Sequence, residues 1–220
     1  MSAIRKLANL QIVLLAVAAC APRAALAQAD PDSIHHRNDC RLAAQVVTTG
    51  RPHPRLAWAT SIMRTCRDAG GTIAQVFSAN RHSTDTAYLD VLTYPAIALR
   101  DGVLFETAVA IATDRSASLE ARVFAIRTLI WSMYPGGGIG YADLVDTPGH
   151  ERNCGGGPST HTLVTLGSPM PTNYVSRAKS VANQLGRDTT EVFALQRAAV
   201  CLAGVQPYEG PTYPGGAGRL

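Results

Sequence analysis

An all-α fold is predicted by the amino-acid sequence: antiparallel helical hairpins stacked as a short right-handed α-α superhelix or a compact α-α bundle. Three observations carry the prediction. Apolar residues recur at steps of three and four almost throughout, the period that places them on one face of a helix. Turn chemistry interrupts that pattern at hairpin-sized intervals, as in Gly50-Arg51-Pro52-His53-Pro54, where glycine and proline punctuate the chain. The 46% of hydrophobic residues supplies enough material for one core in a chain of this length.

In chain order, Met1 to Ala27 has the three parts of an export signal. Arg5 and Lys6 are its charged region, Ile12 to Ala21 its apolar run, and Ala25-Leu26-Ala27 the small-x-small cleavage pattern. The run is too short to span a bilayer, so a soluble mature chain beginning at Gln28 is expected, periplasmic or secreted. Val17-Ala18-Ala19-Cys20 also fits a loose lipoprotein box; acylation of Cys20 would tether the protein to a membrane instead, and an intact mass would tell the two apart.

The expected hairpin domain covers residues 28–205. Cys40 to Thr48 carries Cys40, Ala43 and Val47 on one face, and Arg55 to Cys66 carries Leu56, Ala59, Met63 and Cys66. Thr72 to Asn80 and Thr84 to Tyr94 read as shorter helices, the second stopped by Pro95. Asp101 is placed to cap a helix over Val103 to Thr113. In Ser118 to Met133, Leu119, Val123, Ile126, Ile130 and Met133 form an apolar stripe, with Glu120, Arg122 and Arg127 off it and Ser116 as the expected cap. A glycine-rich insertion, 135–171, follows, in which Thr160 to Leu166 alternates enough for a short strand; it reads as an inter-hairpin loop pinned at Cys154. Thr172 is expected to cap a helix with Tyr174, Ala178, Val181 and Leu185 on one face and Gly186 just past its end. Thr190 to Ala203 is the last helix, and 206–220, rich in proline and glycine, is expected to be a flexible tail.

The stretch from Leu104 to Ala112, the link Asp114 to Ser118, and Leu119 to Leu129 with Arg122, Ala125 and Leu129 in the second helix together resemble one HEAT-type repeat. Arg55-Leu56-Ala57-Trp58-Ala59 and Arg197-Ala198-Ala199-Val200 are weaker echoes. The resemblance implies stacked helical hairpins and a family used mostly for protein binding and scaffolding; it transfers no active site.

Charge narrows the function. The whole chain carries +4, and the signal accounts for Arg5, Lys6 and Arg23 without an acid, leaving +1 after cleavage. Nucleic acid is therefore set aside as a partner. Cys154 between His150 and His161 would suit a thiolate–imidazole nucleophile, but an exported chain with four remaining cysteines, Cys40, Cys66, Cys154 and Cys201, is expected to bridge them. His35, His36 and Cys40, and likewise His150, Cys154 and His161, are metal-ligand types without a CxxC or HExxH spacing, so no metal is expected. Gly136 to Gly140 lacks the following helix and lysine of a phosphate loop. Trp58, Phe105, Phe124, Trp131 and Phe193 are expected to pack in the core, and Arg122 and Arg127 to bridge to neighbouring loops or lie solvated. Asp85, Asp101 and Asp114 fall at caps and loops, with no paired carboxylates for acid–base work.

The expected function is therefore non-enzymatic: an exported interaction or scaffold module that binds a protein, peptide or envelope component, without a cofactor. The alternative is an exported hydrolase using Cys154 with His150 or His161. Hairpin geometry further predicts the pairings Cys40–Cys66 and Cys154–Cys201, because Cys40 opens one helix and Cys66 closes the next, both on the apolar stripe. The first bridge should add roughly 3 kcal/mol by loop-closure entropy.

Overall fold

The computed structural model describes residues 34–49, 54–133 and 170–204. The signal region, most of the glycine-rich insertion and the tail lie outside these residues, as do Cys20, His150, Cys154 and His161. Among the described residues there are eight α-helices: α1 (Ile34–Thr48), α2 (Leu56–Met63), α3 (Ala69–Ala79), α4 (Thr86–Thr93), α5 (Gly102–Thr113), α6 (Leu119–Met133), α7 (Tyr174–Arg187) and α8 (Phe193–Gly204), with a 3-10 helix, Tyr94–Ile97, after α4. Among the described residues there is no strand.

The packing has a simple rule. Each odd helix packs on the even helix that follows it, making four hairpins, α1/α2, α3/α4, α5/α6 and α7/α8. Between hairpins, α1 packs on α3, α3 on α5 and α5 on α7, while α2 packs on α4, α4 on α6 and α6 on α8. The fold is thus all-α and two layers deep, with one continuous core running between the layers from Ala43 and Val47 to Ala199 and Leu202. Such an arrangement follows from amphipathic hairpins, each of which hides its apolar faces only by lying against a neighbour.

Local chemistry sets the helix starts. Asp85 Oδ1 accepts from the Tyr88 amide at 2.9 Å to cap α4, and Asp101 Oδ1 accepts from the amides of Val103 and Leu104, both at 2.9 Å, to cap α5. Pro95 ends α4 as expected, and the chain tightens into the 3-10 helix because proline offers no amide to continue the α-helical ladder. The cap of α6 is Ser118, whose hydroxyl accepts from the Ala121 amide at 3.1 Å. Ser116, expected there, instead donates its amide and hydroxyl to Asp114 Oδ1 at 2.8 and 2.7 Å, closing the turn before the helix.

Other boundaries also differ from expectation. α1 covers Ile34–Thr48 rather than opening at Cys40; the turns before Cys40 are mostly polar and carry no apolar stripe for the sequence to show. α2 ends at Met63, and Cys66 sits in the turn beyond it, its amide donating to Met63 O at 3.2 Å. α3 starts before Thr72, taking Gly70 and Gly71 into its first turn. Gly70 is there for space: a Cβ on it would lie 1.9 Å from Asp101 Cγ, so only glycine lets α3 pass the buried cap of α5. Asn173, not Thr172, flanks α7, without a side-chain cap bond, and Gly186 lies inside that helix rather than beyond it. Thr190 belongs to a turn, its amide and hydroxyl donating to Asp188 Oδ1 at 3.0 and 2.6 Å, and α8 starts at Phe193.

The turns at Asp114 and Asp188 are the same device at the same point of successive hairpins. Aligning them sets Gln196, rather than Arg197, opposite Arg122. α6 departs most from its sequence pattern: every residue from Ala121 to Met133 is buried. It lies between α5, α4, the 3-10 helix and α8, so the side opposite the expected stripe has neighbours too. A helix enclosed on several sides needs no polar face.

Candidate functional site

The turn edge of the array is zipped by charge. Arg81 Nε in the α3–α4 loop lies 3.6 Å from Asp114 Oδ2 in the α5–α6 loop, and Arg115, next to Asp114, pairs in turn with Asp188 in the α7–α8 loop. The Ser116 hydroxyl and amide hold the Asp114 carboxyl below the usual carboxylate range, with Arg81 and His82 adding to the effect. The Thr190 hydroxyl and amide do the same for Asp188, with Arg115 adding to it. Ser118 fastens the edge further, its amide donating to Arg81 O at 2.9 Å and its hydroxyl to Ser83 O at 2.6 Å.

Both arginines of α6 are structural. Arg122 forms a bidentate pair with Glu191 of the α7–α8 loop, Nη1 to Oε2 at 2.8 Å and Nη2 to Oε1 at 2.6 Å, and its Nε donates to Ala112 O at 3.1 Å. It thereby ties the third hairpin to the fourth and satisfies a carbonyl at the end of α5. Arg127 reaches the other way, pairing with Asp90 of α4 and donating to Thr93 Oγ1 at 2.8 Å. Its guanidinium carbon lies 4.4 Å from the Phe124 ring centroid and 4.1 Å from that of Trp131. Burial pushes the Arg127 pKa below its ordinary value, opposed by the bond to Asp90.

The first hairpin is closed by the disulfide Cys40–Cys66, with a Cα–Cα distance of 5.7 Å. The pairing matches the expectation, although Cys40 lies inside α1: Cys40, Ala43 and Val47 still share the face turned to α2. Cys201 is disulfide-bonded too; Cys154, named as its partner, lies outside the described residues. Of the histidines considered, His35 is exposed, whereas His36 is half-buried, its Nε2 3.1 Å from Thr65 O and 3.5 Å from Cys40 Sγ. The second ligand set, His150, Cys154 and His161, lies outside the described residues, as does the nucleophile reading built on it.

The feature with the character of a binding surface is on α8. Leu195, Ala198, Ala199, Cys201 and Leu202 face the core. On the other side Phe193 is 66% exposed and Val200 65%, with Val192 just before the helix at 50%. Phe193 and Val200 are two turns apart and share a face, with Gln196 and Arg197 between them. The expectation that Phe193 and Trp58 are core residues is therefore corrected, Trp58 being 38% exposed. Both stand on the first or last described hairpin, which among the described residues has a neighbouring hairpin on one side only. Phe105, Phe124 and Trp131, on inner hairpins, are buried.

Fold and site together define a class: an all-α stack of helical hairpins, disulfide-clamped at one end and apolar on its last helix. Comparison of the chain with protein-family models, curated proteins and solved structures returns no match.

Proposed function

We propose that the protein is an exported, non-enzymatic interaction module that holds an amphipathic helix of a partner protein against the outer face of α8. The observation that carries this is the stripe formed by Phe193 and Val200, with Val192 beside it, where the other large apolar side chains among the described residues are mostly buried. An exposed apolar stripe at the end of a hairpin stack continues the surface by which each hairpin receives the next. The chemistry that fits it is another helix, with anchors at i, i+4 and i+7. Export is supported by the residues of Met1 to Ala27 and by the Cys40–Cys66 disulfide, which suits an oxidising compartment. Among the described residues no helix is long and apolar enough to cross a membrane.

A photo-crosslinking residue at Val200, compared with one at the exposed Lys179 of α7, tests the surface in cells. The expected result is a single protein adduct at position 200 that disappears on Phe193→Glu. No adduct, or one unchanged by Phe193→Glu, refutes the reading. An adduct consisting of two copies of this chain would make the face a dimer interface and would equally overturn the partner.

A further inference from the structure

The first hairpin gathers three metal-ligand atoms at one point. His36 stands one helical turn before Cys40 on α1, so their side chains share a face, and Cys66 arrives from the turn after α2. His36 Nε2, Cys40 Sγ and Cys66 Sγ all lie within 4.8 Å of one another. The disulfide clamps the hairpin without help from an imidazole, yet Nε2 is held 3.5 Å from Cys40 Sγ. Cys66 is buried while His36 and Cys40 are only half-buried, which leaves a path from solvent.

We propose that reduction of Cys40–Cys66 converts this clamp into a zinc site in which His36 Nε2 and the two thiolates bind one Zn2+, a water taking the fourth position. One imidazole and two thiolates suit a borderline-soft d10 cation. Bond lengths of about 2.3 Å to sulfur and about 2.0 Å to nitrogen in a tetrahedron set the ligand atoms roughly 3.5–3.8 Å apart. Nε2 and Cys40 Sγ already have that spacing, so binding asks the Cys66 side chain to swing once the bond is cut and Nε2 to give up its hydrogen bond to Thr65 O, 3.1 Å away. The chemistry balances with a dithiol as reductant: its two thiols become a cyclic disulfide, and its two electrons and two protons convert the protein disulfide into two cysteine thiols. Zn2+ then displaces both thiol protons to solvent, while His36 binds in the neutral tautomer with its proton on Nδ1. Disulfide and zinc are alternative closures of the same hairpin, selected by redox state.

The test uses the full chain, reduced without oxygen by an excess of dithiol, desalted, and titrated with Zn2+ against a chromophoric chelator and with Co2+ as a spectroscopic substitute. Reduction frees other cysteines as well, so Cys201→Ser is run in parallel. Reduced wild type and Cys201→Ser should each take up one Zn2+ per chain and give a thiolate-to-cobalt charge-transfer band, and Zn2+ should raise the thermal midpoint of both. His36→Gln, which keeps every thiol, should bind Zn2+ at least tenfold more weakly and lose the thermal gain. Cys40→Ser should lose the band, and the oxidised chain should never show it. A reduced wild type without the band, folded or not, a His36→Gln variant equal to wild type, or a band that survives Cys40→Ser overturns the proposal.

Discussion

Substituting Glu191 by alanine should unfasten the fourth hairpin from the third. In the folded chain the Arg122 and Glu191 side chains are 7% and 8% exposed, and the pair is closed by two charge-assisted hydrogen bonds of 2.8 and 2.6 Å. Glu191→Ala leaves the Arg122 guanidinium shut away from water, with Ala112 O as its remaining acceptor in the group. Removing one partner of a buried pair costs about 3–5 kcal/mol, most of it the desolvation of the stranded charge. Against a stability on the order of 5–15 kcal/mol, that is a large share. At about 2–4 °C per kcal/mol for a domain of this size, the thermal midpoint should fall by roughly 6–20 °C. Urea unfolding followed by far-ultraviolet circular dichroism measures the loss directly. The double variant Arg122→Met/Glu191→Leu supplies the control. It removes both charges, so the desolvation penalty goes with them, and what remains is the orphaned Ala112 carbonyl, a cost of about 1 kcal/mol. The double variant should therefore be more stable than Glu191→Ala alone. A Glu191→Ala loss under about 1 kcal/mol, or a double variant as unstable as the sum of its singles, would refute the reasoning.

Gly70→Ala should destabilise the fold by roughly 2–4 kcal/mol, combining loss of the α5 cap with overpacking, because the new Cβ would fall 1.9 Å from Asp101 Cγ; Gly71→Ala, with nothing within 4 Å of its Cβ, should be neutral or slightly stabilising in the same urea assay, and equal effects at the two positions would count against the packing argument. Acid should loosen the turn edge. The folded-state pKa values of Asp114 and Asp188 lie below the ordinary 3.8, so the stability they contribute is fully present above that value and is lost as pH falls through it towards the folded-state values. Urea midpoints measured down the acid limb should fall less steeply in Asp114→Asn/Asp188→Asn than in wild type, and parallel slopes would show that these turns are not linked to folding.

Much of the architecture was legible because its signals are local. Helix period depends on neighbouring side chains, and Asp85, Asp101 and Pro95 act on amides within a turn of themselves, so the hairpin elements could be read in order. The Cys40–Cys66 bridge was legible for the same reason: helix period and one short turn bring the two residues together. The polar opening of α1 and the glycines of α3 misled because their reasons lie elsewhere in the chain. Gly70 answers to Asp101, and the first turn of α1 has no apolar face to betray it.

By itself, then, the sequence determined which segments are helical and that they pair as hairpins, since period, caps and turn residues are properties of a few consecutive amino acids. Only the tertiary structure decided which faces are covered. Arg122 and Arg127 read as off-stripe residues until Glu191 and Asp90 arrive from distant loops to meet them. His36 has no ligand spacing in the sequence, and the turn after α2 carries Thr65 and Cys66 to it. Phe193 reads as core until α8, packed on α6 and α7, leaves it on an exposed face. Burial is a property of neighbours, and no window of sequence contains the neighbour that a hairpin gains, or lacks, in space.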